Sequence, residues 1–179
     1  MSTLIHKWPS LTNSYRTADI EGWFAHNGWL RNATYVVTEK VHGSNCQFMF
    51  TPNESVRFFS RETEVPMTTF AGVDVGSVRI ADRKLFNFLQ FMADSTGATV
   101  SIFGEAYGGK ASRGVTYTEK TIRYFGLMVN GCLRPPSELF SLVEPERCVP
   151  VLGHVAGFDE AMKLEPVFKS KLGSSEAEG

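Results

Sequence analysis

The feature that most constrains the fold is a dense succession of short β-forming runs cut apart by turn formers. Val, Phe, Tyr, Ile and Thr crowd residues 34–40, 45–51, 56–61, 98–105 and 121–129, and Pro52-Asn53 and Gly108-Gly109 lie between these runs or at their ends. Such runs satisfy their backbone polar groups only by pairing with one another. In 45–51, Cys46, Phe48 and Phe50 alternate with Asn45, Gln47 and Met49, which predicts a sheet with one buried face. Leu85, Phe88, Leu89 and Met92 fall at i, i+3, i+4 and i+7 and predict a helix over 82–94. Further helices are expected over 10–26, over 136–143 after the Pro135-Pro136 break, and over 159–172 with an interruption at Pro166. On residue types alone, 174–179 reads as a frayed tail. The order of elements predicts an α+β fold of mainly antiparallel strands flanked by helices.

A chain of 179 residues is enough for one domain with a real core, and its 14 Phe predict a well-packed interior. A formal charge of -1 excludes a uniformly basic coat, so any phosphate-rich partner must meet a local patch. Cys46, Cys132 and Cys148 are odd in number and lack a C-x-x-C pair, arguing against a disulfide framework or a zinc site. The N-terminus MSTLIHKWPS has no apolar signal core, and no apolar run approaches the roughly 20 residues of a bilayer crossing. These features predict a monomer in an intracellular, reducing compartment: the cytoplasm, with an organelle or a phage-infected host left open.

The chemistry gathers in Thr38-Glu39-Lys40-Val41-His42-Gly43-Ser44-Asn45, directly after the apolar Tyr35-Val36-Val37. Lys40, at the end of a strand that favours burial, is expected to be partly desolvated, which disfavours the ammonium form and favours a nucleophilic amine. In an extended backbone Lys40 and His42 project to one face, and Gly43 allows a tight turn and close approach of a phosphate. A hairpin turn with a solvated lysine accounts for the same spacing.

Lys40-Val41-His42-Gly43-Ser44-Asn45 resembles motif I, K-x-(D/H)-G-x-N, of the covalent nucleotidyltransferases, and its histidine is similar to that of the RNA ligase 2 family. Companions follow in order. Phe59-Ser60-Arg61-Glu62-Thr63 resembles the segment that supplies an arginine to the nucleotide, Phe103-Gly104-Glu105-Ala106-Tyr107-Gly108 resembles motif III, and Arg123-Tyr124-Phe125-Gly126-Leu127 resembles motif IIIa. Trp8-Pro9-Ser10-Leu11 is similar to the family's start, and Glu178-Gly179 resembles the beginning of motif IV, with motif V absent.

The resemblance implies a nucleotidyltransferase (ATP-grasp-like) ligase fold, with 1–179 as a single adenylyltransferase domain that is C-terminally incomplete. It implies an ATP-dependent RNA ligase of RNA repair or editing. Lys40 would take AMP from ATP, and AMP would pass to an RNA 5′-phosphate before a 3′-hydroxyl displaces it. Catalytic roles fall on Lys40, His42 and Glu178. Nucleotide contacts fall on Glu39 through its backbone carbonyl, Lys40, Asn45, Arg61, Glu105 at the ribose and Phe125 by stacking. Mg2+ or Mn2+ is implied, with Glu105 and Glu178 as candidate ligands, and nicked or base-paired RNA ends as partners. Gly126 stands where close relatives often carry an acid. Lys110 and Arg113 are candidate RNA phosphate contacts or a solvated loop. The rival readings are a DNA ligase or capping-type nucleotidyltransferase, and a nucleotide- or RNA-binding fragment without full catalysis.

Overall fold

In a computed structural model, residues 6–10, 16–61, 63–109, 115–165 and 167–178 are described. The centre is a five-stranded antiparallel sheet in the order β3-β2-β6-β7-β8. Its strands are β2 (Gly43–Phe50), β3 (Arg57–Ser60), β6 (Val100–Tyr107), β7 (Thr121–Val129) and β8 (Cys132–Leu133). A second, two-stranded sheet pairs β1 (Thr34–Thr38) with β9 (Val151–Ala156). Two smaller ribbons join β4 (Thr69–Phe70) to β5 (Val73–Asp74), and β10 (Val167–Lys169) to β11 (Glu176–Glu178). The helices are α1 (Thr17–His26), α2 (Val75–Ala81), α3 (Arg83–Thr96), α4 (Pro136–Leu142) and α5 (Phe158–Ala161). The α+β arrangement expected from the sequence is the one observed. No helix among the described residues is long and apolar enough to cross a membrane.

One face of the large sheet carries Phe48, Phe50, Phe58, Val100, Ile102 and Tyr124, and the helices close over it through Phe86, Leu89, Ala93 and Leu139. Phe86 sits 4.7 Å from Phe48 and 5.4 Å from Phe50, both near edge-to-face, the arrangement aromatic quadrupoles favour. The helix over 83–96 is therefore present, but turned from the expected register. Phe88 is 43% exposed, and the inward stripe runs Phe86, Leu89, Ala93. Asp74 caps α2 by accepting from the Ser77 amide at 3.2 Å, and Gly97 ends α3 in the left-handed region.

The second correction concerns the sheet's other face. Gln47, Met49, Phe59, Ser101 and Phe103 are buried as well, so the sheet is covered on both sides. Gln47 donates to the Ser101 hydroxyl at 2.8 Å, which satisfies the polar pair inside. The third correction is at the C-terminal end, where 159–172 is not a helix. Among the described residues only Phe158–Ala161 is helical, the expected interruption at Pro166 lies outside them, and Val167–Lys169 pairs with Glu176–Glu178, which is neither helical nor frayed. A β-branched, aromatic pair at Val167-Phe168 suits a strand once a partner strand lies beside it. Helix α1 begins at Thr17; residues 11–15 of the expected helix, together with Lys110 and Arg113, lie outside the described residues.

Candidate active site

Most of the predicted site residues lie on the link from β1 to β2 and on β2, β6, β7 and the end of β3, four strands of one sheet, while the side chain of Glu178, on β11, lies outside the described residues. Strand β1 ends at Thr38, and the chain passes through Glu39 to Val41 before β2 starts at Gly43. Glu39 and Val41 are buried, at 1% and 8% exposure, while Lys40 between them is exposed. The expected desolvation of Lys40 is therefore not found: alternation sends its neighbours inward and its own side chain outward. Asn45 stands opposite Glu105 in the β2–β6 ladder. Arg61 follows the last residue of β3, the strand on the other side of β2.

Glu105 is the electrostatic centre of the group. Burial raises its carboxyl to about 7, against the pull of a hydrogen bond from the Gly43 amide and of the Arg61 and Lys40 charges. The structure thus brings Lys40, Arg61 and the Gly43 amide around one half-buried carboxyl. Gly43 owes its identity to packing and not to a turn: a Cβ there would stand 2.2 Å from the Ala106 carbonyl oxygen of β6. The neighbouring Cys46 thiol is buried, and burial and the Glu105 charge push it up, so it is inert.

The backbone of this turn is held by residues the sequence did not single out. The His42 amide donates to the Tyr117 hydroxyl at 2.7 Å, and Tyr117 packs edge-on against Tyr107 at 4.8 Å. Burial raises the Tyr117 phenol, and the charges of Glu39 and Glu105 add to the effect. The Glu39 side chain is engaged away from the nucleotide side: it accepts from Ser170 Oγ at 2.6 Å and from the Lys171 amide at 2.9 Å. Neither Tyr117 nor Ser170 lies in a recognisable motif, and their distance along the chain hides the contact.

Phe125 is half-buried in a small apolar cluster with Val41, Tyr107, Val149, Tyr117 and Leu172. Trp8 lies against it edge-to-face at 5.0 Å and against Phe103 at 5.3 Å. The Trp8 ring fills the place of a side chain at residue 126, where a Cβ would come within 2.0 Å of it, so glycine there is explained by packing. Glu178 ends β11, opposite Val167. A groove of about 590 Å³ beside α2 and α3, lined by Phe50, Arg79, Ile80 and Phe86, lies apart from these residues.

The sequence profile described as RNA ligase matches residues 33–179. The chain belongs to the RNA ligase family. Among solved structures it is similar to the RNA ligase of Naegleria gruberi with PPi, at 17% identity and TM-score 0.68, over 100% of this chain and 54% of that one. It is similar also to variants of that ligase with AMP and Mn (16% identity, TM-score 0.69, 99% and 52% of the two chains) and with ATP and Mn (16%, 0.67, 89% and 48%). At this identity the likeness is one of fold. This family member spans about half the length of the solved ligases it matches. No curated protein matches it in sequence.

Proposed function

We propose that this chain is the adenylyltransferase part of an ATP-dependent RNA ligase, acting on nicked or base-paired RNA ends in repair or editing. The observation that carries the reading is the meeting of Lys40 and Arg61 at the Glu105 carboxyl, beside Gly43, Asn45 and the half-buried Phe125 ring. Family membership supports it.

Lys40 is the nucleophile. Its exposed amine gives up a proton to water, and the nitrogen lone pair attacks the α-phosphorus of ATP. The bond from that phosphorus to the bridging oxygen breaks, and pyrophosphate leaves with the electron pair. An oxygen of the RNA 5′-phosphate then attacks the same phosphorus, releasing the lysine, and a 3′-hydroxyl finally displaces AMP as the phosphodiester forms. Arg61 and His42 offset charge on the phosphates, an electrostatic role common to phosphoryl transfer. Glu105 and Asn45 orient the ribose side, the Glu39 carbonyl faces the base, and Phe125 offers it a ring to stack on, worth about 1–3 kcal/mol in comparable contacts. Glu178 is placed with the catalytic group by its motif.

Among the described residues no three His, Cys, Asp or Glu side chains form a metal cage. Glu105 would hold Mg2+ or Mn2+, with Glu178 as a second candidate ligand. When bound, the ion would neutralise triphosphate charge.

Incubation with ATP labelled at the α-phosphate and Mg2+, followed by intact-mass and peptide mapping, tests the reading. An acid-labile AMP adduct on Lys40, absent from Lys40→Ala, is expected. An adduct that persists in Lys40→Ala refutes the nucleophile. ATP binding without adduct formation favours a nucleotide-binding piece without turnover.

A further inference from the structure

The β10–β11 ribbon shares no ladder with either larger sheet, yet it lies against the turn that carries Lys40. What joins them is a buried carboxyl. Both Glu39 oxygens act as acceptors, one for Ser170 Oγ at 2.6 Å and one for the Lys171 amide at 2.9 Å. Ser170 is itself only 6% exposed, and its hydroxyl accepts from the Leu172 amide at 3.0 Å. The hydroxyl thus donates its one proton to Glu39 while a lone pair accepts the Leu172 amide. Glu39 is anchored from its other side too, its amide donating to Pro150 O at 2.9 Å, and Lys171 Nζ reaches Val151 O at 2.9 Å. The same ribbon is strapped to 116–118: the Ser174 amide donates to Thr116 O at 3.1 Å, the Thr116 amide to Ser175 Oγ at 2.9 Å and the Thr118 amide to Leu172 O at 3.3 Å. Between those straps sits Tyr117, whose hydroxyl receives the His42 amide.

We propose that Ser170 is a positioning residue that sets the backbone of the Lys40 turn through the Glu39 carboxylate, and so registers the strand ending at Glu178 against it. Two clamps grip the turn. Ser170 and Glu39 hold it one residue before Lys40, and Tyr117 holds it two residues after. The exposed Lys40 side chain therefore projects from a backbone fixed on both flanks, and an ordering cost is removed before any ligand arrives. Substituting Ser170 by alanine removes two hydrogen bonds and leaves a Glu39 oxygen buried without its donor, the costlier half of the loss.

The catalytic consequence rests on Lys40 being the nucleophile, but the mechanical coupling does not, and amide hydrogen exchange separates the two. In Ser170→Ala the Glu39 and His42 amides should exchange about tenfold faster or more, the effect of losing buried hydrogen bonds. Amides of β6 and β7 should stay within about twofold of wild type, because their ladder is untouched. Affinity for ATP should fall by about tenfold, and Ser170→Thr, which keeps the hydroxyl, should restore both. If Ser170→Ala does not fold, Ser170→Cys, a weak donor, is measured in its place. Unchanged exchange at Glu39 and His42, or acceleration spread equally over β6 and β7, overturns the proposal. A wild-type chain that binds no ATP sinks the adenylyl-transfer reading alone, and the exchange pattern still decides the role of Ser170.

Discussion

Two glycines and one carboxyl make the site's chemistry testable at the level of single residues. Glu105 holds its proton to about 7 in the folded chain, whereas an unburied glutamate releases it near 4.5. Between those values the folded state binds more protons than the unfolded one. The contribution of this group is therefore complete below 4.5 and is lost as pH rises through 7. It amounts to about 3 kcal/mol at most, less where water reaches the carboxyl. The melting temperature of the ligand-free chain should fall between pH 5 and 7.5, and Glu105→Gln should flatten that slope; a wild-type profile already flat over the range contradicts the burial of this group. The glycines differ in what blocks a side chain. At Gly43 the obstacle is the Ala106 backbone, which cannot move aside, so Gly43→Ala should destabilise by about 3 kcal/mol, read by denaturant titration. At Gly126 it is the movable Trp8 ring. Gly126→Ala should leave stability nearly unchanged and red-shift the emission of Trp8, over a constant signal from the exposed Trp23 and Trp29.

Between elements, a buried polar tie fastens the α2–α3 junction to β7. Asp82 is 7% exposed and takes both arms of Arg147 at 2.7 Å, and Tyr124 donates to the same carboxylate at 2.7 Å. Arg147 also reaches Thr121 at 3.2 Å. Removing one member strands the others away from water, so Arg147→Ala should cost about 3–5 kcal/mol and lower the melting temperature by about 10 °C. Tyr124→Phe, which deletes one bond and keeps the ring, should cost about 1 kcal/mol. The elements were legible where each residue's partner is implied by local pattern. The runs at 45–51, 98–105 and 121–129 became strands because β-branched and aromatic residues leave little else open to them. The face of α3 was misread because Phe86 and Phe88 satisfy a helical period almost equally, and the sheet beneath selects Phe86. Phe86→Ala should accordingly cost about 3–5 kcal/mol, and Phe88→Ser should lie within about 0.5 kcal/mol of neutral in the same titration. Residues 167–169 were misread because a three-residue strand has no period of its own.

Across the whole molecule, the site is assembled from segments that share no sequence neighbourhood. Lys40, Asn45, Arg61 and Glu105 were legible as an ordered set, and the structure gathers them around β2 and β6. Tyr117 and Ser170 were illegible, because what they do depends on a fold that returns them to the same turn. The exposure of Lys40 escaped for the same reason: the apolar run before it announces burial, but the chain leaves the strand two residues early. One consequence follows from the pairing of β1 with β9, which matches Thr34 to Ala156 and Thr38 to Val151. The central sheet has all its strands once β8 has emerged, but among the described residues β1 has no ladder until β9 does. During synthesis β1 thus waits for its partner strand until most of the chain has left the ribosome, and a nascent chain halted before Val151 carries every strand of the central sheet with β1 still unladdered.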